Sequence, residues 1–388
     1  MSDENQGMRG KRSGSNAALR SGSFAPSRAG PGGPQGNSRA SSDLLLKRPA
    51  CRSGLRVGRS APQTTCLQKQ APRRQEQSSN HAEGVMLLER SGPDPFFLRI
   101  ADLTIALLSD DSDLKISVDS NIKRFLVEQA DPDLTVQARW GNLSEESRGE
   151  KIFDSGGPWQ LYSQGQTYLF RFTSPVLGSV PYKIASFNRE FTSGEVCLHR
   201  PYFTPGQPLY PLEYPLDELL VVNLLAKERG IEVHACGIID PSENGRLFIG
   251  QSGAGKTTMA RLWQNVPGII VLSDDRIILR QNDGVVWIYG TPWHGEAALA
   301  CPARAPLKGA YFLGHDEKNE QAPVGKTDAI SRLFACSFLP FYNPGAIGFS
   351  LGFLEEILKT VPCYKLGFTP DERAVEFILK ERHRKCVT

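Results

Sequence analysis

The sequence predicts an α/β (α+β) fold in which a glycine-rich loop is set in a mixed, partly antiparallel sheet, preceded by a β-rich domain and a disordered N-terminal tail. Three observations lead there. RLFIG reads as a strand that runs straight into GQSGAGKTT, and TTMARLWQN emerges from that loop with helical spacing. Further on, RIILRQNDGVVWIYG is two strands joined by the hairpin signal Asn282-Asp283-Gly284, where a doubly wound sheet would continue with a helix. Upstream, residues 95–202 fall into short stretches rich in Thr, Val, Tyr and Phe, punctuated by DPD, SGG and GQ turns, which is the pattern of strands.

In chain order, residues 1–80 carry 14 Lys and Arg against 4 Asp and Glu, with one apolar cluster at Leu44 to Leu46. Such a segment cannot bury enough apolar surface to offset the entropy of ordering it. Residues 1–85 are therefore expected to be a disordered basic tail, either a solvated extension or an upstream start with initiation nearer Met86. The tail's +10 within a whole-chain charge of +3 leaves −7 for the body, which argues against a nucleic-acid-binding body. No run reaches the ~20 apolar residues of a membrane span, and the tail lacks the apolar core of a secretory signal, so a cytoplasmic protein is expected. The 8 cysteines agree, with none in C-x-x-C spacing and several in apolar runs such as LFACSF. Buried free thiols in a reducing compartment behave this way.

Residues 86–204 read as an antiparallel β-rich domain, with NIKRFLVEQA as one short helix and no spacing typical of a catalytic or metal site. The Pro-rich PYFTPGQPLYPLEYP then leads into a second domain, 205–388. DELLVVNLLAKERG places Leu219, Leu220, Asn223, Leu224 and Ala226 at helical spacing. Acids at its start and Lys227, Arg229 and Gly230 at its end are helix start and stop signals. IEVHACGIID is a strand and PSENG a turn. Further along, APLKGAYFLG is a core strand with Lys308 as a solvated edge charge, and Thr369-Pro370-Asp371-Glu372 is a capping-box start to AVEFILKERHRK.

The loop fits G-x-x-x-x-G-K-[ST] without a gap: Gly250, Gln251, Ser252, Gly253, Ala254, Gly255, Lys256 and Thr257, followed by Thr258. Glycines at those positions let successive backbone N–H groups turn in on a polyphosphate, to which the helix N-terminus adds partial positive charge. A lysine neutralises the β/γ oxygens and a threonine hydroxyl is offered to Mg²⁺. Such a cradle, a P-loop, needs a carboxylate for its metal, normally at the exit of a neighbouring strand. GIIVLSDDRIILR supplies Asp274 and Asp275. Adjacent residues on an extended chain point to opposite sides, so one can face the metal while the other reaches elsewhere; a base for an attacking hydroxyl is the natural second role.

With this loop, the acid pair after one short helix, the hairpin, and His234 on the strand before the loop, residues 205–380 resemble the HPr kinase/phosphorylase catalytic domain and the loosely defined HPr-kinase-related proteins. That bacterial serine-kinase group is related in fold to phosphoenolpyruvate carboxykinase. The resemblance implies ATP and Mg²⁺ as cofactors, Gly250 to Thr258 around the nucleotide phosphates, and Thr257 and Asp275 as metal ligands. It also implies Asp274 and Asp275 sharing the base and metal roles, and His234 beside the transferred phosphoryl group. The phosphoryl acceptor is left open among a protein, a peptide and a small molecule, and a homo-oligomer is in keeping with the family. One departure stands out. The family's Glu-Ile-Arg-Gly-like signature is replaced by Trp287-Ile288-Tyr289-Gly290, and GTPWHGE follows, whose His294 and Glu296 are placed to line the site. The loss weighs against phosphorolysis and against HPr as substrate, whereas plain phosphoryl transfer needs only the loop, metal and base. The alternatives are a nucleotide-binding regulatory or scaffold protein without catalysis and, third, carboxykinase-like chemistry.

Overall fold

The computed structural model describes residues 88–90, 94–145 and 149–385; the expected basic tail, and Cys51, Cys66 and Cys386, lie outside them. Eleven strands come first: β1 (Leu88–Arg90), β2 (Phe96–Ile100), β3 (Leu103–Leu108), β4 (Ile116–Val118), β5 (Leu126–Val127), β6 (Leu134–Gly141), β7 (Glu150–Asp154), β8 (Trp159–Gln164), β9 (Thr167–Thr173), β10 (Pro181–Asn188) and β11 (Ser193–His199). Nine of them form one sheet in the order β5-β2-β3-β6-β11-β10-β9-β8-β7, while β1 and β4 pair as a separate ribbon. The sheet is mixed, because β3 lies parallel to β6 and β6 parallel to β11. The expectation of an antiparallel domain is corrected here. Alternation and turn residues specify strands, but they do not say which strand lies beside which when 25 residues, 109–133, separate β3 from β6. NIKRFLVEQA is likewise only in part helical: α1 (Ser120–Lys123) is capped by the Asp119 side chain and the chain then passes into β5.

Next comes α2 (Leu216–Leu225), in which all ten residues are buried. It is a central helix, with no solvated face. Its apolar side chains share one core with both sheets, for Leu216, Leu220 and Leu224 cluster with Phe170, Phe187 and Val136 and also with Ile278, Tyr289 and Trp293. Polar ties reinforce the junction: Arg280 donates to the Ala101 carbonyl at 2.6 Å, and the Tyr289 hydroxyl meets Asp102 Oδ2 at 2.9 Å.

The second sheet consists of β12 (Ile231–Ile239), β13 (Gly245–Ile249), β14 (Ile270–Ser273), β15 (Arg276–Asn282), β16 (Val285–Gly290), β17 (Arg304–His315), β18 (Glu320–Pro323), β19 (Ser337–Phe338) and β20 (Cys363–Phe368). Its helices are α3 (Lys256–Gln264), α4 (Lys326–Ala335), α5 (Pro344–Thr360) and α6 (Arg373–Lys385). This sheet is mixed too: β17 runs parallel to β13 and β20, whereas β12, β15 and β16 pair antiparallel. Because β12 pairs β13 and β15, and β17 pairs β13 and β16, the strands close a circuit, β12-β13-β17-β16-β15 and back to β12. The expected hairpin between β15 and β16 is present, with Asp283 and Gly284 both at positive φ as a two-residue connection of this kind demands.

All nine residues of β12 are buried, which makes it the axis of this half. Val233 and Ala235 face a core completed by Ala329, Leu333, Leu354 and Ile357 of α4 and α5. Cys236 and Ile238, of opposite parity, face one completed by Met259, Trp263 and Ile378 of α3 and α6. The predicted start of α6 moves: the helix begins at Arg373, whose N–H is capped at 3.0 Å by Asp371, while Thr369 is engaged by Asn319. Cys197, Cys236, Cys301, Cys336 and Cys363 are free thiols, and among the described residues no helix is long and apolar enough to cross a membrane.

Since Leu220 is fully buried in the core common to both sheets, truncating it leaves a cavity. Leu220→Ala is expected to cost roughly 2–5 kcal/mol in urea unfolding, against less than about 1 kcal/mol for Leu351→Ala at a 40% exposed position. Equal losses would contradict this placement of the core.

Candidate functional site

The glycine-rich loop, residues 250–255, connects β13 to α3. Gln251, Ser252 and Gly253 are exposed, Gly255 opens the helix in the left-handed region at φ 97°, and Lys256 at the first helical position is buried. Gly255 is doubly constrained, because a Cβ there would come 2.7 Å from Phe368 in addition to adopting that φ. The Lys256 ammonium donates to the Gln251 carbonyl at 3.2 Å, folding the loop over its own lysine. Thr257 and Thr258 sit half-buried in the first turn of α3, where helix N–H groups have no intrahelical partner. His315, at the end of β17, holds the loop from outside through its Nε2, 2.8 Å from the Gly253 carbonyl.

His234 lies at the middle of β12 and joins this loop to the acid pair. Its carbonyl is 3.5 Å from the Gly250 N–H, and its Nε2 is 2.7 Å from Asp275 Oδ1. Burial lowers the imidazole pKa despite the carboxylate beside it, with the charges of Lys256 and Arg276 pushing the same way. The ring is thus neutral at neutral pH, carrying its proton on Nε2 as the donor to Asp275. For Asp275, burial works towards a higher pKa but is outweighed by the hydrogen bond from His234 and by the charges of Arg276 and Lys256, which bring it down to about 2. Asp275 is therefore an anion, pinned on Oδ2 by the Arg276 guanidinium and through its own carbonyl, which accepts the Ala235 N–H at 3.1 Å.

Asp274, beside Asp275 in the bend between β14 and β15, engages different partners. It is fully buried, and its two oxygens accept the N–H groups of Gly295 at 2.9 Å and Ala297 at 3.0 Å. This carboxylate secures the GTPWHGEAA loop. That contact accounts for Gly295, since a Cβ there would sit 2.6 Å from Asp274 Oδ2. Ser273 completes the turn: its Oγ accepts the N–H groups of Asp275 and Arg276 and donates to the Trp293 carbonyl. His294 turns its Nδ1 onto the Gly295 carbonyl at 2.8 Å and Glu296 is exposed.

The geometry thus gathers His234, Asp275 and Lys256 within electrostatic reach of one another, and separates Asp274 from them in role. Three residues that sequence reasoning missed complete the arrangement. Arg276 is 4% exposed and donates through Nε to Glu218 Oε1 at 2.6 Å, with Glu232 Oε1 3.5 Å away and the Phe338 ring 4.1 Å from its Cζ. Glu218 belongs to α2, so the acids at the start of that helix are a buried counter-charge and not the exposed dipole partners they resemble in the sequence. The available signals were Arg276 directly after the acid pair and Glu232 two positions before His234, on the same side of a strand.

Asp275's depressed pKa carries a stability consequence with a definite sign. An acid whose folded value is below its unfolded one, about 3.9, stabilises above that value and loses its contribution as pH falls through the folded one. Between about pH 5 and pH 1 the protein should lose roughly 2–3 kcal/mol from this group, and Asp275→Asn should lack that part of the acid limb in urea titrations. An unchanged acid limb in the variant would contradict the pairing.

No protein-family model matches the chain, and no curated protein does. Among solved structures, the HPr(Ser) kinase/phosphatase from Coxiella burnetii aligns with 12% identity over 40% of this chain and 99% of its own length, at a TM-score of 0.25. A likeness at that level carries no weight for fold or activity.

Proposed function

We propose that residues 205–388 transfer the terminal phosphoryl group of Mg·ATP to a hydroxyl of a protein, peptide or small-molecule acceptor. The observation that supports this most is His234, whose backbone meets the start of the glycine-rich loop while its imidazole holds the ionised Asp275. One strand residue thereby brings a polyphosphate-type loop and a candidate reacting carboxylate together. In this reading the loop amides from Gly250 to Thr258 and the Lys256 ammonium hold the phosphates, and Asp275 orients the acceptor hydroxyl. As the acceptor oxygen bonds to the γ-phosphorus, the bond to the β-phosphate oxygen breaks, ADP leaves, and the hydroxyl proton passes to Asp275. A carboxylate with so low a pKa accepts that proton only as the new bond forms, in keeping with a positioning role for the base in phosphoryl transfer.

The residues present would suit Mg²⁺, which would supply charge neutralisation for the phosphates when bound. Thr257 offers a hydroxyl, and Asp275 retains lone pairs beyond its two existing contacts. Among the described residues no cluster of three or more His, Cys, Asp or Glu could hold an ion alone, and Mg²⁺ taking one or two protein ligands plus phosphate oxygens asks for none. Asp274, with both oxygens on backbone amides, is assigned to holding the 295–297 loop, so the base and metal roles fall to Asp275.

Calorimetry and an acceptor screen test the reading together. Lys256→Ala should lose most Mg·ATP affinity, whereas Asp275→Asn should lose less of it yet transfer about 10²–10⁴-fold more slowly. Asp274→Asn should show its effect first as lowered unfolding stability. Nucleotide binding without phosphorylated product from any acceptor would favour a regulatory nucleotide-binding protein, and no nucleotide binding at all would refute both.

A further inference from the structure

Behind Asp275 the protein buries more negative charge than it visibly balances. Glu218, Glu232 and Asp275 converge on the single guanidinium of Arg276, with side-chain exposures of 1%, 0% and 15% against 4% for the arginine. Three carboxylates face Arg276 and, on the Asp275 side, Lys256, which leaves one negative charge uncompensated, and the neutral His234 does not offset it. Burying that excess is costly enough that a group takes up a proton instead. The hydrogen bonding points the same way: with all three carboxyls ionised, Glu218 Oε2, Glu232 Oε1 and Glu232 Oε2 are buried acceptors with no donor.

We propose that Glu232 is a neutral carboxylic acid that donates its proton to Glu218, leaving Arg276 free to fix Asp275 as the reacting anion. One proton removes one negative charge and gives both Glu218 Oε2 and Glu232 a partner. Burial, followed by the charge of Glu218, raises the Glu232 pKa well above its ordinary value against the opposing pull of Arg276, and hydrogen bonding to Glu218 acts in the same direction as burial. The charged and titratable groups that bear on Glu232 come from several elements: α2 through Glu218, β15 through Arg276, the β14 exit through Asp275, and the preceding connection through Tyr214, whose own ionisation is suppressed, while β19, paired with Glu232 at Phe338, adds none. On β12 itself Glu232 shares a side with His234, so the acid, the imidazole and the arginine form one continuous support beneath Asp275. Glu232 is thus a positioning residue that acts through Glu218 and Arg276, and its catalytic consequence rests on the phosphoryl-transfer reading.

The sign of the linkage makes the protonation testable without any activity. An acid whose folded pKa is raised contributes stability in full below its unfolded value, about 4.3, and loses it as pH rises towards the folded value. Wild type should therefore lose stability as pH climbs from about 4.3 through neutrality. Glu232→Gln, whose amide can still donate to Glu218 while staying neutral, should flatten that slope and match or exceed the wild-type urea midpoint at pH 7. Asp217, buried in α2 with a pKa pushed up to about 7 by burial, adds a similar slope to both proteins and cancels in the comparison. Infrared spectra of protein carrying ¹³C at its glutamate carboxyls should show a protonated-glutamate band at pH 7 that disappears in Glu232→Gln, aspartates being unlabelled.

If transfer is present, Glu232→Gln should keep kcat within about threefold, and Glu232→Ala should lower it at least about tenfold with nucleotide affinity unchanged. Absence of the labelled band at pH 7, or a lowered midpoint with an unchanged slope in Glu232→Gln, would overturn the proposal whatever the protein's activity. Loss of transfer alone would instead count against the phosphoryl-transfer reading.

Discussion

The 2.7 Å contact between His234 Nε2 and Asp275 Oδ1 is the interaction on which the site's arrangement depends. It is possible only because β12 is buried on both sides, holds the imidazole in a medium that keeps it neutral, and receives the β14–β15 turn against its own edge. A neutral histidine can give Asp275 a donor without cancelling its charge, and the charge comes instead from Arg276 and Lys256. In a drier setting than water those two cations act at short range with little screening. The carboxylate stays ionised even though burial by itself would raise its pKa.

The same constraint explains why the two sheets share α2. A guanidinium that pins a buried carboxylate must itself be buried, and it then needs counter-charge that cannot come from solvent. Glu218 supplies it from a helix with no exposed face, whose packing is completed by both sheets. The first sheet therefore bears on the site through packing and charge placement, even though the glycine-rich loop and acid pair both lie in the second half of the chain. Asp274 adds the remaining anchor by tying the 295–297 loop to the turn that carries Asp275.

Much of this was legible in the sequence because local patterns carry it. The strand–loop–helix around Lys256 and the β15–β16 hairpin at Asp283-Gly284 both follow from spacing and turn chemistry. What was not legible is long-range. The parallel neighbours of β6 depend on which distant strand fills each edge. Glu218 and Glu232 look like helix-start and strand-edge acids until the fold brings them 58 and 44 residues along the chain to Arg276. Asp274 looked equivalent to Asp275 until the amides of Gly295 and Ala297 claimed both its oxygens. Charge networks assembled from separate elements leave no periodic trace.

The most direct measurement is ¹⁵N NMR of the His234 imidazole at neutral pH, with and without Mg·ATP. The account predicts a neutral ring protonated at Nε2 in the free protein, and a shift on saturation with nucleotide, because loop and acid–histidine pair are parts of one site. An imidazolium in the free protein, or resonances untouched while nucleotide binds elsewhere, would contradict it.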